Sequence, residues 1–207
     1  VSLTWKKLNS NVKQISDWMR SNQIKKGDRV AAYLPNIPQT VIAYISTSVL
    51  GGIWSSCSPD FGINGVVDRF GQIGPKVLFT ADGYWYNGTQ HDSLSPVRGV
   101  LEQIDSIETT VIVPFLRKAV DAGALRGGML WGDLVVPEAK PLYRATAFNH
   151  PLYIMYSSGT TGVPKCIVHG AGGSLIQHLK EHMLHCDIGP DDRLFFFTTC
   201  GWMMWNW

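Results

Sequence analysis

Residues 157 to 165 read Ser157, Ser158, Gly159, Thr160, Thr161, Gly162, Val163, Pro164, Lys165. Four hydroxyls, two glycines and one lysine share nine positions. That is a dense set of hydrogen-bond donors with little bulk. A polyphosphate has many anionic oxygens and needs such a set. Glycine lacks a Cβ and lets backbone N–H groups come close to an anion. Ser and Thr hydroxyls donate without charge, and Lys adds a compact positive charge. Pro164 stiffens the way out. An ordinary polar hairpin loop uses the same residue types, so composition alone leaves both readings open. The spacing is not the G-x-x-x-x-G-K-[ST] of P-loop proteins, which sets aside GTPase and motor-ATPase chemistry of that kind.

Residue order separates the two readings. Tyr156 to Lys165 resembles the phosphate loop of the adenylate-forming superfamily, which holds acyl-CoA synthetases, luciferases and peptide-synthetase adenylation domains. That pattern is an aromatic residue, then [ST]-[ST]-G-[ST]-T-G-x-P-K, and every fixed position is met here. Cys166 stands where the family usually has glycine. The runs 51–79, 165–182 and 195–207 narrow the likeness to the acetoacetate-activating branch of the acyl-CoA synthetases. The likeness covers the whole chain and is weaker over 85–150.

The resemblance implies a two-step reaction. Acetoacetate attacks ATP, with Mg²⁺, to give an acyl-adenylate and pyrophosphate. Coenzyme A then takes the acyl group and AMP leaves. It implies that Ser157, Ser158, Gly159, Thr160, Thr161, Gly162 and Lys165 hold the β- and γ-phosphates. It also implies that Trp202, after Gly201, walls the acyl pocket; plain core packing is the alternative for that indole. No catalytic residue is expected in this segment. The family's Tyr-Gly-x-Thr-Glu run for adenine and Mg²⁺, its ribose-binding Asp and its catalytic Lys are expected downstream. The chain is therefore expected to be an N-terminal-half piece of a longer cytosolic ligase of lipid and ketone-body metabolism, inactive alone. Within it, 1–150 would form a first subdomain and 151–207 the phosphate-loop segment. Other short-chain acids, or a truncated non-catalytic binding isoform, are the alternatives.

Two further motifs invite chemistry. Asp60-Phe61-Gly62 spells the kinase metal motif, but no H-R-D loop or V-A-I-K strand accompanies it. It reads better as a turn from a strand into a helix. His178, Glu181 and His182 form an H-x-x-E-H pattern, an inverted zinc-peptidase signature. His185 follows, but no third ligand is visible further along. The plainer reading is a mixed helix with Leu175, Leu179 and Met183 packed and the histidines partly exposed.

The elements that must position these residues follow from periodicity. Leu8, Val12, Ile15, Trp18 and Met19 recur at helical spacing behind a cap at Thr4. Residues 29–34 read as a buried strand, 38–51 as a helix with Pro38 in its first turn, and 53–57 as a strand. A helix over 62–73, a strand over 76–80, a helix over 97–107 and a strand over 110–113 follow. Residues 82–95 and 117–150 read as irregular. Strands over 152–156 and 166–169, a helix over 173–186 and a last strand over 194–198 complete the pattern. Alternation of helices with short β-rich runs predicts an α/β fold with a parallel sheet covered on both faces.

Composition bounds the rest. The 207 residues are 45% hydrophobic and 16% charged, enough for one sizeable core. The net charge is +2 with no basic tract, which argues against a nucleic-acid partner. The apolar run 41–54 is too short for a membrane span. Cys57, Cys166, Cys186 and Cys200 show no disulfide framework, which suits a reducing compartment. Cys57 and Cys166 fall in apolar runs and are expected to be buried. Asn87-Gly88-Thr89 is a glycosylation sequon without an export signal, and is read as unused.

Overall fold

The computed structural model describes residues 2–134, 143–157 and 162–206. Helix α1 (Trp5–Ser21) opens the fold, and the Thr4 side chain accepts from the Lys7 amide to cap it. Its Val12, Ile15, Trp18 and Met19 are buried, as the spacing predicts. Strand β1 (Arg29–Tyr33), helix α2 (Pro38–Val49) and strand β2 (Ile53–Cys57) follow, then helix α3 (Ile63–Ile73) and strand β3 (Val77–Ala81). Gly74 ends α3 in the left-handed region at φ 54°, which a side chain would disfavour.

Next come strands β4 (Gly83–Tyr86) and β5 (Thr89–Asp92), helix α4 (Leu94–Leu101), and strands β6 (Thr109–Val113) and β7 (Gly128–Leu130). Strands β8 (Pro151–Ser157) and β9 (Lys165–Gly170), helix α5 (Ala171–Lys180) and a short helix α6 (Met203–Asn206) complete the chain.

Seven strands form one sheet in the order β7-β6-β3-β1-β2-β8-β9. All neighbours are parallel except β8 and β9, which form an antiparallel hairpin. The pleat sorts the core. Val30 and Ala32 of β1 face one hydrophobic cluster with α1 and α2. Ala31 and Tyr33 face the other, with α3 and α4. The expected α/β sheet with helices on both faces is what forms. No helix among the described residues is long and apolar enough to cross a membrane.

Four expectations need correction. The helix expected over 97–107 runs Leu94–Leu101. The Asp92 carboxylate accepts from the Ser95 amide and starts it early. Beyond Glu102 the chain turns so that Ile104 and Ile107 tuck into the core. Residues 82–95, read as irregular, contain the β4–β5 hairpin. Asn87 and Gly88 take φ 47° and 76°, the left-handed pair of a two-residue hairpin turn. The short strand β7 lies within another stretch read as irregular. Residues 194–198, read as a strand, pair with no strand among the described residues. Phe195 and Phe197 stand exposed there.

Candidate functional site

Strand β8 runs parallel to β2, so Ser157 and Cys57 lie at the same carboxyl edge of the sheet. In open α/β sheets ligands bind at that edge. The β8–β9 register pairs Ser157 with Lys165 and Tyr156 with Cys166. Ser157 and Lys165, the two ends of the hydroxyl-rich run, thus both lie at that edge. Ser158, Gly159, Thr160 and Thr161 lie outside the described residues. Gly162 has φ 143°, a conformation that strains a side chain. Lys165 is exposed at the first position of β9.

The entry to the loop is anchored in the sheet. The Ser55 hydroxyl donates to the Ile154 carbonyl at 2.9 Å and shares a 3.0 Å hydrogen bond with the Tyr156 hydroxyl. Burial pushes the Tyr156 phenol well above its usual range, so it stays neutral and can hydrogen-bond. The Arg69 guanidinium of α3 lies 4.7 Å from the Phe61 ring centroid and 5.7 Å from that of Tyr156. Such stacking of a cation on aromatic faces helps fix the ring.

The run 198–202 crosses the same edge. Ser56 Oγ donates to the Cys200 carbonyl at 2.5 Å, and the Cys200 thiol donates to the Leu34 carbonyl at 2.6 Å. Burial pushes the Cys200 thiol up to about 12, so it remains a proton donor. A Cβ on Gly201 would sit 2.7 Å from the Ser58 amide nitrogen, so a residue without a side chain is required. This close approach brings Trp202 beside Ser56, Met155 and Tyr156, where they line a small recess. Among the described residues the indole is 64% exposed. A larger cleft of about 360 Å³ lies alongside, walled by Asn36, Asp60, Tyr84, Tyr86 and Phe197.

The other motifs resolve differently. In Asp60-Phe61-Gly62, the Phe61 carbonyl accepts from the Tyr33 hydroxyl and Gly62 is the cap of α3. It is a strand-to-helix turn. At the H-x-x-E-H stretch, α5 passes into a π-helical turn over Glu181–His185. Glu181 is held by Lys180 at 3.0 Å and by Gln177 at 2.7 Å. The hydrogen bond from Lys180 keeps its carboxyl below the usual range. Among the described residues, no group of three or more His, Cys, Asp or Glu could hold a metal ion. Nothing here supports a zinc peptidase.

Leu175, Leu179 and Met183, expected to be packed, are exposed, and Ser174 is the buried residue of α5. Cys166, expected to be buried, is also exposed, on β9, the last strand of the sheet among the described residues. Cys57 is buried as expected. Sequence reasoning missed Ser55, Ser56 and Asn36. Each is a short polar residue in or next to a sheet strand, and only the three-dimensional pairing shows its partner.

Comparison with known proteins gives the class. The family described as "AMP-binding enzyme" matches residues 1–206. The chain belongs to that family. An acetoacetyl-coenzyme A synthetase of Rhizobium meliloti (strain 1021) is 52% identical over 208 residues, covering 99% of this chain and 32% of that protein. The acetoacetyl-CoA synthetase of Mus musculus is 44% identical over 214 residues, covering 100% of this chain and 32% of that protein. The solved acetoacetyl-CoA synthetase from Streptomyces lividans superposes with a TM-score of 0.94 at 44% identity, over 100% of this chain and 31% of that one. The chain spans about a third of the length of these relatives.

Proposed function

We propose that the protein carrying this chain ligates acetoacetate to coenzyme A with ATP. An acetoacetate carboxylate oxygen attacks the α-phosphorus, and the bond to pyrophosphate breaks. The coenzyme A thiol then attacks the acyl carbon of the acetoacetyl-adenylate. The bond to AMP breaks and the thiol proton leaves. MgATP is the nucleotide substrate. The thiols among the described residues are free, which is in keeping with a reducing compartment such as the cytosol.

The observation that carries this reading is the Ser157–Lys165 pairing at the carboxyl edge. It supports the reading because nucleotides meet this kind of sheet at its carboxyl edge. In this reading Ser157 to Gly162 and Lys165 hold the β- and γ-phosphates. They supply fixed donors where charge builds up as pyrophosphate leaves, which is the main protein contribution to such a step. Trp202 forms one wall of a small acyl pocket, and Gly201 gives it its place. This chain is part of the large adenylation domain. In this reading the adenine-binding groups and the catalytic lysine belong to the remainder of the protein.

The test is acid-dependent exchange of labelled pyrophosphate into ATP by the full-length protein. Acetoacetate, acetate and butyrate are compared by kcat/KM. The expected result is a preference for acetoacetate of at least about tenfold, since one added polar group in a fitted site is worth that much. Equal rates with acetate or butyrate would overturn the acetoacetate assignment. No exchange with any acid would overturn the reaction class.

A further inference from the structure

The two ends of the phosphate hairpin are held in different ways. The entry is tied into the sheet through Tyr156 and Ser55. The exit is gripped from outside, by one amide on α3. Gln72 Nε2 donates to the Pro164 carbonyl at 2.8 Å and to the Asp68 carbonyl at 2.5 Å. Its Oε1 accepts from the Cys166 thiol at 3.5 Å. An amide nitrogen has two hydrogens and is no acceptor, so two carbonyls fix which way the group faces. The oxygen is then left toward the thiol. Both donor hydrogens of the amide, and one of the two lone pairs on its oxygen, are used.

Pro164 and Cys166 are the two chain neighbours of Lys165. Side chains alternate along a strand, so Cys166 faces Gln72 and α3 while Lys165 faces the other way. We propose that Gln72 is a positioning residue for Lys165. By holding the residues on both sides, it fixes the strand from which the lysine reaches phosphate. The proposal rests on the phosphate-binding reading of this loop. It also gives Cys166 a role: its thiol is the side-chain donor to Gln72 Oε1, which a glycine at that position lacks.

The test uses the full-length protein with Gln72→Met, which keeps length and removes all three bonds. Gln72 is exposed, so the variant is expected to fold and to melt as the unaltered protein does. Two readouts are taken. The first is independent of catalysis: amide hydrogen exchange over 162–167, with the rate of Cys166 alkylation followed on its peptide. Both are expected to rise about fivefold, the scale of one lost hydrogen bond of ordinary net strength. The second is steady-state pyrophosphate exchange. KM for MgATP is expected to rise about fivefold while KM for the acid stays unchanged. A purely structural role would move both constants or neither.

Unchanged amide exchange and alkylation in Gln72→Met would overturn the proposal, as would equal rises in both KM values or no change in either. An unaltered protein with no acid-dependent exchange would defeat the functional reading instead, and the first readout would still decide whether Gln72 grips the strand.

Discussion

The interior of the sheet and its carboxyl edge are built on different terms. In β1, β2, β3 and β6 nearly every side chain is buried and each pleat face meets a helix layer. At the edge, Lys165, Gly162 and Trp202 are exposed, and short polar residues hold the backbone instead. Hydrophobic burial secures the first region and directed hydrogen bonds shape the second. The interior can therefore be damaged without any change in chemistry, and the edge can lose its chemistry while the fold survives.

The sharpest challenge to that contrast is Phe79→Ala. Phe79 is fully buried, with Trp18 and Trp131 edge-on at 6.5 and 5.8 Å. The cavity should cost about 3–5 kcal/mol in denaturant unfolding. A loss below about 1 kcal/mol would mean that the site collapses easily and that the interior is not close-packed.

Thiol reactivity offers the next test. At pH 8, Cys57 and Cys200 should alkylate on the order of a hundredfold more slowly than Cys166, because burial pushes both buried thiols up and hides them. Similar rates for all three would show that the edge strap over 198–202 is open in solution.

Ser55→Ala sits on the boundary between the regions. It removes a donor from the Ile154 carbonyl and a partner from the Tyr156 hydroxyl. The expected destabilisation is about 1–3 kcal/mol, the cost of leaving buried polar groups unpaired. It should be accompanied by weaker MgATP binding. Destabilisation without an effect on MgATP would separate Tyr156 from the phosphate loop.

The smallest effect expected is the pH response of β9. Burial depresses the His169 imidazole below its ordinary value. In that case the unfolded chain binds the proton more tightly. Stability is then full above about pH 6.5, the ordinary histidine value, and declines as pH falls toward the lower folded value. His169→Gln should flatten this slope in thermal melts between pH 7 and 5. An unchanged slope would assign it to other groups.

Much of the interior was legible because burial imposes periodicity. Val12, Ile15, Trp18 and Met19 announce α1, and the β-branched and aromatic runs announce β1, β2, β3 and β6. The β4–β5 hairpin was also legible in principle, since Asn87-Gly88 between Tyr86 and Thr89 is a strong two-residue turn signal. The run of aromatics at 195–197 misled in the opposite direction, because β propensity means little without an edge to pair with. At the site, the donors of the loop stood out by type. Gln72 and Ser55 did not, because their roles come from residues 92 and 99 positions away in the chain.

The central claim, that the hairpin tip holds polyphosphate, is tested most directly by Lys165→Ala in the full-length protein, with the two half-reactions measured apart. Adenylate formation is expected to fall by about 10²–10³-fold, the scale of losing one fixed charge-stabilising group. Thioester formation from supplied acetoacetyl-adenylate should fall far less, and thermal stability should hold. Equal losses in both half-reactions would contradict the account.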